Sequence, residues 1–219
     1  MYKSLVKNEI DPASSINFVP PGCPTNDDSD LPSVVGPMEL GSSVHIMFPT
    51  KDSYVRGGDY EDENYGSENV LELNGKDEES NIRKVLLEFD LASLSKVLKK
   101  QDVVRASIRL FVESVGKDYT RSVSIYKLSN NAEWYEDQVT WSNFGTPPLS
   151  MTGPTFQVTW SDENEWIDVD ITNLIGRSEE TNLVLGLRNT STKGKNSNCS
   201  FGSRETCHSP KLVLVTEPI

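Results

Sequence analysis

The chain has 219 residues, enough for one sandwich-sized domain plus an extension, and a hydrophobic fraction of 36%, against about 45–50% in an ordinary globular chain. No stretch approaches the roughly 18 apolar residues of a membrane helix, and Met1 to Ile10 lacks the apolar core of a signal peptide. The net charge of −12 argues against general nucleic-acid binding, which needs a net positive face.

The charge is unevenly spread. Residues 1–42 hold two basic and six acidic side chains, residues 51–80 three and ten, residues 81–130 ten and five, and residues 131–219 six and twelve. The basic middle could hold an anionic sugar; a solvated surface of mixed charge is the plainer reading.

Residues 1–42 contain Pro12, Pro20, Pro21, Pro24, Pro32 and Pro37. Proline fixes φ and removes donors, so this segment is expected as an extended arm or linker. An arm of that kind could reach a neighbouring copy or another chain, giving a homo- or hetero-oligomer.

From residue 43 the pattern becomes that of strands. Val44 to Phe48, Asp52 to Arg56 and Val70 to Leu73 are short candidates, the last ended by Asn74-Gly75, a strong turn signal. Ile82 to Phe89 places Val85, Leu87 and Phe89 on one face. Leu91 to Lys100 carries apolar residues at helical spacing, so a short helix or turn is expected. Val104, Ala106, Ile108, Leu110 and Val112 alternate with Arg105, Ser107, Arg109, Phe111 and Glu113, the clearest period of two in the chain. Arg121 to Leu128, Thr155 to Trp160, Trp166 to Val169, Leu183 to Leu187, Cys199 to Ser203 and Leu212 to Val215 complete the set. One helical turn is expected over Ile171 to Gly176, begun under Asp170. Nine or ten short strands with turn signals between them predict an all-β sandwich or barrel over residues 43–219.

Four pieces carry a resemblance in order. They are Asp52-Ser-Tyr-Val55 with Asn64-Tyr-Gly66, Arg83-Lys-Val-Leu-Leu-Glu-Phe-Asp-Leu91, Trp134-Tyr-Glu-Asp-Gln-Val-Thr-Trp141 with Asn143, and Phe201-Gly-Ser-Arg-Glu205 with Pro210. From Val44 to Val215 the chain resembles a DNRLRE-type domain, also catalogued as carbohydrate-binding module family 96. The resemblance implies a jelly-roll β-sandwich and the binding of a polysaccharide or glycan, with the acidic polymer alginate as the example. It places the chain outside the cell or on a cell or particle surface. The alternative function is a structural subunit of a surface layer, capsid or matrix, with the arm touching neighbours; fold does not choose between the two.

Candidate sugar-binding residues are Tyr54, Tyr65, Arg83 and Arg204. Tyrosine rings stack on sugar faces, and the arginine fork fits a carboxylate. The structural alternative pairs Arg204 with Glu205 or a buried acid, locking the closing strand. Tyr54 and Tyr65 could equally plug a sheet corner, and Trp134 and Trp141 are expected as core anchors. Asp52, Asp90, Asp168 and Asp170 sit at strand ends. Asp52 and Asp90 are the candidate ligands for a structural Ca²⁺, which takes about six to eight oxygens; capping is the alternative for Asp170, and Asp90 could simply end its strand.

Of three cysteines, Cys199 and Cys207 flank the Phe201 to Glu205 turn and are expected to bridge, leaving Cys23 over. Reduced, buried thiols are the rival. His45 and His208 are the two histidines, and no zinc spacing, nucleophile elbow or phosphate loop is present. The chain is therefore not expected to be an enzyme. Plentiful acids leave a glycosidase carboxylate pair open, as paired Tyr and Arg leave β-elimination of uronates.

Overall fold

The structure is a computed structural model; it describes Cys23 and residues 41–75, 81–116, 120–129, 133–147, 149–175, 180–191 and 198–219. The rest of the arm expected over residues 1–42 lies outside the described residues. The described strands are β1 (Ser43–Met47), β2 (Lys51–Arg56), β3 (Val70–Asn74), β4 (Arg83–Asp90), β5 (Gln101–Val115), β6 (Arg121–Leu128), β7 (Leu149–Val158), β8 (Trp166–Asp170), β9 (Asn182–Asn189), β10 (Asn198–Gly202) and β11 (Lys211–Pro218).

All strand pairs are antiparallel, in the order β1-β11-β5-β10-β3-β4-β9-β6-β7, with β2 added on β4 and β8 on β5. This is a jelly-roll β-sandwich with eleven described strands where nine or ten were expected. Each of the eleven segments read as strand candidates falls on one of them; β7 starts at Leu149, six residues ahead of the expected Thr155, through residues that are mostly exposed. Such an edge segment carries little hydrophobic signal.

β5 links the two layers. Its Gln101 to Arg109 stretch pairs with β11, while Val112 to Val115 pairs with β10. Ile108, Leu110 and Val112 point into the main core with Val85, Leu87, Phe89, Ile125, Leu185, Leu187, Leu212 and Leu214, all 0% exposed. Each such side chain contributes about 1.5–3 kcal/mol on burial. A second apolar cluster lies on the outer face of the β2-β4-β9-β6 layer. There Val55, Leu86, Tyr126, Leu128 and Val184 are covered by Trp134 and Val139.

Two short helical segments stand where they were expected, although Gly176, the end of the second, lies outside the described residues; a third, over Trp141–Phe144, was not expected. A 3₁₀ turn at Ala92–Leu94 runs into α1 (Ser95–Leu98). Another 3₁₀ turn, Thr172–Leu174, begins under Asp170, whose Oδ1 accepts the Thr172 N–H at 2.8 Å. α2 (Trp141–Phe144) starts from a capping box: Thr140 Oγ1 accepts from the Asn143 N–H, and Asn143 Oδ1 accepts from the Thr140 N–H. No helix among the described residues is long and apolar enough to cross a membrane.

The cysteine expectation is corrected. The disulfide joins Cys23 to Cys207, and Cys199 is free and buried. Cys199 stands opposite Leu73 on β10 and points into the main core. Cys207 is on an exposed turn, so the two thiols face different surroundings although only eight residues apart.

Candidate functional site

β2 organises three of the four candidate sugar-binding residues. Alternation along a strand puts Asp52, Tyr54 and Arg56 on one face. Tyr54 is 6% exposed and stacks on Tyr65, ring centroids 4.3 Å apart. Burial, then the nearby Glu72 carboxylate, push the Tyr54 phenol above its usual range. The Tyr65 hydroxyl donates to Glu63 at 3.0 Å. Arg56 lies opposite Arg83 across β2 and β4. Arg83 pairs with Glu72, and the Arg56 guanidinium sits 3.5 Å over the Tyr60 ring.

Tyr54, Tyr65 and Arg83 are therefore neighbours, as a shared site requires. Tyr54, however, has no ring face left for a sugar, because one side meets the core and the other is stacked on Tyr65. That part of the expectation is corrected: Tyr54 is a packed ring, not an exposed platform.

Arg204 belongs to a different network. Its backbone N–H donates to Asp52 Oδ2 at 2.7 Å, and its guanidinium donates to Glu136 Oε2 at 2.7 Å. Glu205 lies 4.0 Å away. Glu136 Oε1 in turn accepts the Asp52 N–H at 2.8 Å. Three distant pieces of chain, β2, the 133–140 turn and the 203–206 turn, are thus laced together. This matches the structural alternative for Arg204.

The carboxylates of Asp52, Glu136 and Glu205 lie within 4.8 Å of one another. Burial is the main reason the buried Asp52 carboxyl is held well above the usual range; the Arg204 N–H opposes it, and the Glu205 and Glu136 charges add to it. Burial and Glu136 also raise Glu205. For Ca²⁺ the donor set fits poorly. Both Glu136 oxygens and Asp52 Oδ2 already accept N–H groups, whereas Ca²⁺ wants about six to eight free oxygens. Asp90 does not join Asp52 at all. Its Oδ1 accepts the Ala92 N–H at 2.8 Å, capping the turn before α1, and that pairing of ligands is corrected.

A different surface presents unopposed positive charge. Val85, Leu187 and Val123 face the core, so their neighbours Lys84, Arg188 and Ser124 face outward. The register sets them in one line across the layer: Lys84 opposite Arg188, Arg188 opposite Ser124, and Ser124 opposite Thr155. Ser124 and Thr155 share a hydroxyl hydrogen bond of 2.7 Å. Beside them Ser122 pairs with Gln157, whose Nε2 donates to the Ser122 hydroxyl at 3.0 Å.

Lys84 reaches over the Trp141 ring, 4.5 Å from its centroid, and donates to the Gly145 carbonyl. Burial, then Arg188, lower the Lys84 ammonium from its usual range. Arg188 is exposed. No member of the line is acidic. Like charges directly opposite on a sheet cost about 0.2–1 kcal/mol, a cost that a bound anion would relieve. In the next line Tyr126 lies across Gly186, where a Cβ would come within 2.3 Å of its ring. Beside the apolar cluster that Trp134 and Val139 cover, the outer face thus keeps a polar strip of Arg188, the half-buried Lys84 and the Ser124 and Thr155 hydroxyls.

The individual sequence motifs did not point to Lys84 and Arg188. Lys84 lies inside the Arg83 to Leu91 motif, beside Arg83. The excess of basic residues over 81–130 and the alternation around Val85 were the available signals, but pairing with Arg188 requires the register.

The fold is that of a β-sandwich whose outer sheet face is part covered and apolar, part polar. The family model of carbohydrate-binding module family 96 matches residues 44–216, and the chain belongs to that family. No curated protein matches it. Among solved structures it is similar to a cryo-EM structure of mud crab tombus-like virus, at 11% identity and a TM-score of 0.28, over 93% of this chain and 92% of that one.

Proposed function

We propose that the chain is a non-catalytic carbohydrate-binding module that takes an acidic polysaccharide, with alginate as the first candidate, on the outer face of the β4-β9-β6-β7 layer. The observation that carries this reading is the opposition of Lys84 and Arg188 with no acid in their line. A uronate carboxylate placed between them accepts charge-assisted hydrogen bonds, each worth about 1.5–3 kcal/mol. Ser124, Thr155, Ser122 and Gln157 then offer hydroxyl and amide groups to the neighbouring sugar hydroxyls. The Trp141 ring steadies the Lys84 ammonium, 4.5 Å from its centroid. Arg83 and Arg204 keep protein carboxylates as partners and serve the fold. Family membership supports the ligand class, and that class suits an extracellular or cell-surface setting.

The test is affinity electrophoresis and calorimetry with alginate, pectin and a neutral glucan, with and without EDTA. Saturable binding to a uronate polymer is expected, weakened at least about tenfold by Arg188→Ala with Lys84→Ala, stronger at low salt, and unchanged by EDTA. Unaltered alginate binding by a folded double variant would overturn the site. A folded wild type that binds none of the polymers would overturn the function.

A further inference from the structure

One tyrosine of the outer face is almost wholly enclosed, yet its polar group is unengaged. Tyr126 on β6 is 9% exposed and packs in the outer apolar cluster with Leu86 and Leu128. Its hydroxyl has no hydrogen-bond partner among the described residues but, unlike the Trp134 indole nitrogen, it is not sealed from solvent. Buried tyrosines usually give their hydroxyl to a partner. Here the ring is held and the hydroxyl is left open.

The place of that hydroxyl follows from Gly186. Leu185 and Leu187 point into the main core, so Gly186 between them opens onto the outer face. A Cβ on it would meet Tyr126 Cε2 at 2.3 Å and Cζ at 2.9 Å. Cζ bears the hydroxyl, so the ring reaches from β6 across to β9 and carries the hydroxyl with it. Tyr126 pairs with Gly186, and Gly186 with Leu86. Lys84 and Arg188 form the adjacent row, two residues along the same strands, a step of roughly 7 Å. One uronate ring with its substituents bridges such a step.

The chemistry of the group suits the same ligand. Burial pushes the Tyr126 phenol up to about 12, while the Arg188 charge pulls the other way. The phenol therefore keeps its proton at neutral pH, where a uronate is ionised, and acts as a donor. No protein hydrogen bond has to break before it binds. The packed ring has little freedom left to lose, which favours affinity.

We propose that Tyr126 is a third binding residue of the acidic-polysaccharide site. Its hydroxyl donates to an oxygen of the uronate whose carboxylate lies between Lys84 and Arg188, and Gly186 is what lets the ring reach there. This rests on the reading of that face as the polysaccharide site.

The test is calorimetry with alginate at several salt concentrations. Tyr126→Phe removes one oxygen that no described residue contacts, so its melting curve is expected to match the wild type. Its alginate affinity is expected to fall at least about fivefold, by the same factor at every salt concentration, because no charge is removed. The Lys84→Ala/Arg188→Ala double variant is expected to flatten the salt dependence instead. Gly186→Ala displaces the ring and is expected to weaken alginate at least as much as Tyr126→Phe, with no further loss when the two are combined. If Tyr126→Phe does not fold, Gly186→Ala carries the test. Unchanged affinity in folded Tyr126→Phe overturns the role of Tyr126, and the cationic line then stands alone if its double variant still loses binding. Losses that add in the combined variant overturn the role given to Gly186. A folded wild type that binds no uronate polymer overturns the site itself, and this residue's part with it.

Discussion

The Asp52 carboxylate accepts the backbone N–H of Arg204 at 2.7 Å, joining two residues 152 positions apart. The buried acid carries a second duty, because Glu136 reaches its own N–H. One strand residue thereby fixes the two turns on which Glu136 and Arg204 meet.

This contact has a pH signature. The Asp52 pKa is raised in the folded protein above its ordinary 3.8, chiefly by burial. A raised carboxyl favours the folded state below the unfolded value, and that contribution is lost as pH rises through the folded value. Asp52→Asn keeps an oxygen for the Arg204 N–H and removes the ionisation. Its melting temperature is expected to gain on the wild type as pH rises from about 4 through the raised Asp52 value, and to level off above it. Parallel melting curves across that range would count against it.

Arg204 and Arg188 should separate cleanly. Arg204→Ala strips the partner from Glu136 in a partly buried lock and is expected to cost about 1–3 kcal/mol in chemical denaturation, with alginate affinity at saturating folded protein unchanged. Arg188→Ala, at an exposed position, is expected to leave stability within about 0.5 kcal/mol while weakening alginate. The opposite pattern would return Arg204 to the binding surface.

The thiol count is fixed by the Cys23–Cys207 bond. Cys199 is 1% exposed, and burial pushes its thiol up to about 12, so it has almost no thiolate at neutral pH. Ellman's reagent is expected to find no thiol in the native protein, one after denaturation and all three after reduction. A native thiol reacting at once would contradict the pairing.

Gly186 is set by its neighbour. A Cβ there would stand 2.3 Å from the Tyr126 ring, which must then leave the sheet face. Gly186→Ala is expected to cost about 1–3 kcal/mol by overpacking, measured by urea denaturation. A neutral result would mean that Tyr126 has another resting place.

Much of the sandwich is visible in single strands. The alternation of Val104 to Val112 predicts β5, and Val85, Leu87 and Phe89 predict the inner face of β4, because burial on one side writes a period of two directly into the sequence. The Arg204 lock is half visible: an acid partner is expected, but Glu136, 68 residues away, is not named by spacing. The Cys23–Cys207 bond spans 184 residues and leaves no local pattern, while Cys199 beside Cys207 offers a false one. Lys84 and Arg188 become a pair only through the β4–β9 register. Tyr54 looks like a binding tyrosine until Tyr65 covers it.

The Cys23–Cys207 bond also sets how the module would carry tension. A pull applied ahead of Cys23 and beyond Cys207 does not travel through the chain between the two cysteines. It crosses the disulfide and emerges just before β11, leaving the loop that contains Lys84, Arg188 and Trp134 mechanically idle. The load falls on β11 alone, held by β1 on one side and β5 on the other. Reduction would put the whole sandwich back in the line of force, so a redox change would alter the length of chain that can be drawn out before the β4-β9-β6-β7 layer is disturbed.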